Sequence, residues 1–186
     1  GWLYWQDRQT KAAGVEGEQL SQALDDLQAG NADSALTKLA PLAQSKNVGY
    51  RASAKMAEAG VALGKNDFSG AAKTYGEVAT DTSIPQPWRD LALIRQTAAE
   101  FDTIKPELVV ARLRPLAAKG NPWFGSAGEM VAAAYLKMGK TELAGKMFAD
   151  IGKDESVPDS IRSRAVQMAG SLGADAINAP AKEVTK

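Results

Sequence analysis

The chain contains no cysteine and no histidine. Without cysteine there is no disulfide, no thiolate nucleophile and no zinc site with sulfur ligands. Without histidine the commonest general base and the commonest transition-metal ligand are missing. A cysteine count of zero is tolerated in reducing and oxidising compartments alike, so it does not fix location. Carboxylates and lysine can still support catalysis, so these absences disfavour an enzyme without excluding one. A surplus of one charge is missing too, because 22 Lys+Arg balance 22 Asp+Glu. Nucleic-acid binders carry a basic surplus, and membrane-surface proteins carry polybasic patches; neither pattern is present, and no nucleic-acid partner is assigned.

Motifs for chemistry are equally scarce. Gly14-Val15-Glu16-Gly17 and Gly76 follow no strand and precede no Gly-Lys-Ser/Thr, so they form no phosphate loop. The adjacent carboxylates Asp25-Asp26 and Asp154-Glu155 point in different directions on a helix. Ser34-Ala35-Leu36-Thr37 and Ser53-Ala54-Lys55-Met56 do not supply a Ser-x-x-Lys pair. No catalytic residue, cofactor or metal ligand is therefore assigned.

What is present is a repeat. The 186 residues suit one domain with a real core. Much of the apolar content is alanine, which suits closely packed helices. In Asp67 to Ala79 the informative positions are Ala71, Tyr75 and Val78, at spacings of four and three, which share one helical face. The same grammar recurs at Ala35, Leu39, Leu42; at Val109, Leu113, Leu116; and at Ala144, Phe148, Ile151. Successive first members lie 36, 38 and 35 residues apart. Helix pairs at that period mark a tetratricopeptide-type array. The expected fold is all-α: a right-handed α-α superhelix of about four tetratricopeptide-like helix pairs plus a C-terminal capping helix.

The expected pairs are 15–28 with 32–44, 48–63 with 67–79, 88–101 with 106–118, and 123–138 with 141–151. A last helix over 159–172 has no partner and would cap the open core. Pro41 should bend the second helix, and Pro115 occupies the matching place one residue before Leu116. Asn66 or Asp67 should cap the fourth helix, and Pro106 suits a first turn. Residues 13–173 are thus expected to form the repeat domain. Residues 1–12 would be the end of an anchor or linker, and 174–186 a flexible tail.

The first helix of each pair carries its own signature: a large residue, then alanine four later. The instances are Tyr50 and Ala54, Trp88 and Ala92, Trp123 and Ala127, Ile161 and Ala165. Alanine at a crossing lets two helix axes approach, and the large residue fills the gap beside it. Trp88 and Trp123 therefore carry two readings, wedges between repeats or hot spots on a peptide-binding face. Arg51 and Arg89 each follow such an aromatic. They would either hold a partner's carboxylates or carbonyls, or form local pairs with Asp90 or Glu58 on a solvated face. Arg51, Trp88, Arg89 and Trp123 are the candidate protein-binding residues.

The chain opens Gly1-Trp2-Leu3-Tyr4-Trp5 and turns polar at Gln6-Asp7-Arg8-Gln9. Aromatics followed by charge are how a membrane-spanning helix ends at the interface. Five residues cannot span a bilayer, which needs about 20 apolar residues. The expectation is an anchor helix ahead of Gly1; the alternative is an exposed apolar start to the first helix that packs on its neighbour or on another molecule in a crystal.

This start, running on through Gln9 and Ala12-Ala13, resembles the membrane exit of the YfgM-like ancillary subunit of the bacterial Sec translocon. The resemblance continues at Tyr50-Arg51-Ala52-Ser53-Ala54, at Trp88-Arg89-Asp90-Leu91-Ala92-Leu93-Ile94-Arg95, and from Trp123 through Gly139-Lys140-Thr141, covering about residues 1 to 172. It implies a non-enzymatic scaffold in the periplasm, held by a single-pass anchor in the bacterial inner membrane. The implied partners are translocon subunits and a membrane-anchored periplasmic chaperone of the peptidyl-prolyl isomerase class. Arg8 and Lys11 lie just past the aromatic start and give that orientation no help from the positive-inside rule. The family has no catalytic motif to carry over. Competing readings are another tethered tetratricopeptide adaptor of envelope assembly or cell division, a cytoplasmic peptide-binding module in which Trp2 and Trp5 are buried, and an enzyme built on carboxylates.

Overall fold

The structure, a computed structural model, describes residues 1–173; the tail expected over 174–186 lies outside them. Among the described residues there are nine helices and no strands. The chain groups into two compact units, Gly1–Glu100 and Phe101–Lys186.

The first unit holds α1 (Trp2–Gln28), α2 (Ala32–Leu42), α3 (Val48–Gly64), α4 (Phe68–Thr80) and α5 (Gln86–Glu100). Helix α3 is its centre and touches all four others. The second unit holds α6 (Pro106–Leu113), α7 (Phe124–Lys137), α8 (Thr141–Lys153) and α9 (Asp159–Ser171). Here α7 plays the central part, packed on α6, α8 and α9.

The periodic positions are the core. Every member of the four triads is buried, with Ala35, Ala71, Val109 and Ala144 fully so. Ala54, Ala92, Ala127 and Ala165 are also at 0% exposure, so the alanines expected at crossings sit at them. Around Ala71 cluster Ala52, Ala59 and Ala92 together with Tyr75, Val78 and Ile84. Small residues bring the backbones close and the larger ones fill the rest. Gly17 shows the same device inside α1: a methyl there would meet the Tyr50 hydroxyl at 2.6 Å.

Caps set the starts. Asp67 accepts the Gly70 amide at 2.9 Å and caps α4, while Asn66 sits at φ +61 in the preceding turn. Asn47 accepts the Tyr50 amide at 3.1 Å and caps α3. Pro106 stands in the first turn of α6, where its missing N–H costs nothing.

Several boundaries differ from expectation. Helix α1 begins at Trp2 instead of 15 and runs unbroken through Gly14 and Gly17 to Gln28. Its first half is held by local pairs, Lys11 to Asp7 at 2.8 Å and the Thr10 hydroxyl to the Gln6 carbonyl at 2.9 Å. Trp2, Leu3, Tyr4 and Trp5 are between 58% and 76% exposed, which corrects the reading in which Trp2 and Trp5 are buried. Helix α2 stops at Leu42 instead of 44, and α6 at Leu113 instead of 118. Proline is the reason in both. Pro41 lies in the last turn of α2 and Pro115 lies just beyond α6, and neither has an amide hydrogen to extend the ladder. One more helical residue follows Pro41, and the Ala43 amide still donates to the Leu39 carbonyl at 2.9 Å. Leu116, the third member of its triad, is buried even though the helix has ended.

A longer period underlies the short one. Pro41-Leu42-Ala43 recurs as Pro115-Leu116-Ala117, and Asn47 as Asn121, 74 residues on. Asp81-Thr82-Ser83-Ile84-Pro85 recurs as Asp154-Glu155-Ser156-Val157-Pro158, 73 residues on. Both later segments form the same turn: the serine amide donates to the aspartate side chain, and the following aliphatic amide to its carbonyl. In element order α6–α9 therefore repeats α2–α5, and α1 is the additional helix of the first unit.

Candidate functional site

In the first unit the odd-numbered helices leave an open groove of about 640 Å³. Helix α1 contributes Leu24 and Leu27, whose spacing of three aims both across the same face. Helix α3 contributes Met56, Ala57, Gly60, Val61 and Gly64 as the floor. Helix α5 contributes Trp88, 42% exposed, and Arg95. The lining is mostly apolar, Ser53 is its only hydroxyl, and its only charged members are Lys65 and Arg95. Lys65 pairs with Asp33 at 3.1 Å, but the two side chains are 51% and 94% exposed, so water screens the pair and it holds weakly.

The four candidate residues have different fates. Trp88 stands in the groove instead of closing a gap in the core. Helix α5 starts at Gln86, two residues before Trp88, and the plug is Ile84, 1% exposed. Val157, 4% exposed, does the same ahead of α9. The recurring Asp-x-Ser-aliphatic-Pro segment was the signal for these two plugs, visible only at the double period. Trp123 belongs to the second unit, where it is half-buried at the N-cap of α7, its amide held by Asn121 at 2.9 Å. Phe124, 3% exposed, fills the adjacent core.

Arg51 is committed inside the first unit. Its guanidinium donates to the Asp81 carboxylate at 3.1 Å, to the Ser45 carbonyl at 2.8 Å and to the Ser83 hydroxyl at 2.6 Å. Three acceptors on two loops, with the side chain only 18% exposed, make it a clamp between the α2–α3 and α4–α5 connections. Hydrogen bonds from the Ser83 hydroxyl, then from the Ser83 amide and Arg51, hold the Asp81 carboxyl below the usual aspartate range despite its partial burial. Arg89 donates to Gln86 at 2.6 Å, and Gln86 in turn donates to Asp90. The Arg89 Nε is buried without a partner. Of the four candidates, only Trp88 lines the groove. Its other apolar members, Met56, Leu24 and Leu27 among them, were not candidate site residues in the sequence.

Elsewhere on α3, Lys55 bridges to Glu77 of α4 at 3.2 Å. Glu58 is half-buried nearby, and loss of hydration, followed by repulsion from Glu77, raises its pKa against the pull of Lys55. Among the described residues no helix is long and apolar enough to cross a membrane. The family model of the tetratricopeptide repeat-like domain matches residues 1–168. No curated protein and no solved structure gives a match.

Proposed function

Because the chain belongs to the tetratricopeptide repeat-like domain family, whose domains are protein-interaction modules and typically non-catalytic, we propose that it is a docking scaffold whose first-unit groove receives a protein partner at the periplasmic face of a bacterial inner membrane. The carrying observation is the apolar groove with Trp88 exposed in it. A soluble chain gains by covering such a surface, and tryptophan supplies much contact area at small entropic cost. The location and the partner class are supported by the resemblance to the ancillary translocon subunit. The exposed Trp2-Leu3-Tyr4-Trp5 turn adds support, since aromatics of this kind settle at the lipid interface. In this reading the scaffold brings a membrane-anchored chaperone of the peptidyl-prolyl isomerase class to the translocon exit. Its contribution is effective concentration, because tethering turns the chaperone's encounter with an emerging chain into a local event.

The test is crosslinking of the full-length protein in intact membranes, with a photoreactive side chain at position 88. Adducts with translocon subunits or with the chaperone are expected. Adducts only with envelope-assembly or division proteins reject the translocon assignment, and adducts only with cytosolic proteins reject the location as well.

A further inference from the structure

The groove's chemistry narrows its occupant. We propose that it takes a short amphipathic helix carrying acidic side chains; this rests on the docking reading above and names the partner's form. Three features lead there. First, the charged lining residues are Arg95 and Lys65, the latter in a solvent-screened pair with Asp33 at 3.1 Å, and no carboxylate is among the lining residues. A partner that brings carboxylates to these two positions is favoured, and one that brings lysines is repelled.

Second, the walls are helices whose backbone groups are already bonded within themselves, and Ser53 is the only hydroxyl among them. An extended peptide would bury amides and carbonyls with nothing to meet them, which is costly. A helix satisfies its own backbone and presents only side chains. From Met56 to Gly64 the floor spans nine residues, about 12 Å for the eight rises of 1.5 Å between them, which is roughly two turns of an incoming helix. Apolar residues at i, i+3, i+4 and i+7 would face it.

Third, the floor of this groove is open at two glycines. A methyl built on Gly60 or Gly64 meets nothing within 4 Å. At the equivalent places 73 residues on, α7 carries Met130, Ala133 and Lys137 in place of Ala57, Gly60 and Gly64. The Lys137 amine lies 4.3 Å from the centre of the Phe101 ring. At the last two of these positions the double repeat thus places glycine in α3 and side chains in α7.

The experiment selects a random 16-residue peptide library on the folded chain, with counter-selection on Gly60→Leu. That substitution projects into empty groove, and it replaces a helical glycine by a better helix former, so its Tm should not fall. The expected consensus is apolar at i, i+3, i+4 and i+7 with Asp or Glu beside it, and helical circular dichroism on binding. Such a peptide should lose more than about tenfold affinity on Gly60→Leu, and a comparable factor on Arg95→Glu. On Arg95→Glu, its lysine-substituted version should bind better than on the native chain. A basic or proline-rich consensus, no enrichment, or binding that Gly60→Leu leaves unchanged overturns the proposal. Photocrosslinks at position 88 together with such a result would leave docking standing and remove the acidic helix alone. Absence of any adduct at position 88 removes both.

Discussion

Replacing Ala71 or Ala144 by leucine tests the packing on which every other statement about this chain depends. Each alanine is at 0% exposure inside a cluster that includes other alanines. Leucine adds three carbons. If room existed for them, burial at ~0.8 kcal/mol per methylene would stabilise the chain by about 2.4 kcal/mol. No room exists at Ala71, because Ala52, Ala59 and Ala92 share its cluster and the helices already approach to alanine distance. The added carbons must push α3 or α5 away from α4, and overpacking of this kind costs roughly 1–3 kcal/mol net. For a chain of this size about 2 kcal/mol lowers Tm by roughly 4–8 °C. Calorimetry on Ala71→Leu, Ala144→Leu and the exposed control Ala98→Leu reads this directly; the control should stay within about 0.5 kcal/mol of the native chain. Tm unchanged in both core variants, or a drop in the control of equal size, would refute the crossing argument.

Three further outcomes follow from named contacts. Arg51→Met should cost about 1–3 kcal/mol in urea unfolding, because it removes the donor to the Ser45 carbonyl and one of the donors to Asp81, which keeps only Ser83. Arg51→Lys should recover little of this, since one ammonium cannot serve three separated acceptors; full recovery by lysine would mean that charge alone matters. Ile84→Ala should cost about 2–5 kcal/mol, as for a fully buried aliphatic plug, and a loss below 1 kcal/mol would show that the loop collapses onto the gap. Glu58→Gln should stabilise the chain at pH 7. The raised pKa of Glu58 means its ionised form is disfavoured by folding, so the penalty is full above that pKa and disappears as pH falls to the usual glutamate range. Urea midpoints between pH 4 and 8 should converge at the acid end; a constant gap would point to packing instead of charge.

The groove and the clamp were legible to different degrees, for reasons tied to particular residues. Ala71, Tyr75 and Val78 announce a buried face because helical periodicity is local, and burial follows from it wherever a partner helix is available. Trp88 carries the same helical spacing to Ala92 as the other large residues, yet it lies in the open. Whether a wedge is needed depends on where the preceding loop puts Ile84, and that loop's shape depends on Asp81, Ser83 and Arg51 together. Arg51 was ambiguous because its three acceptors lie up to 32 residues away, at a range no spacing rule covers. Gly60 and Gly64 gave no signal, since an empty place is defined by what surrounds it.

By itself the sequence determined that this chain is a helical repeat with alanine crossings and a proline-punctuated double period, because those properties follow from side-chain size and backbone chemistry within a few turns. Only the tertiary structure decided which polar groups are consumed as internal fastenings and which apolar ones remain open to a partner. Arg51 and Trp88 sit at adjoining places in the repeat register, one just after the aromatic position and the other on it. Their roles diverge because contacts between segments far apart in the chain close one position and leave the other facing the groove.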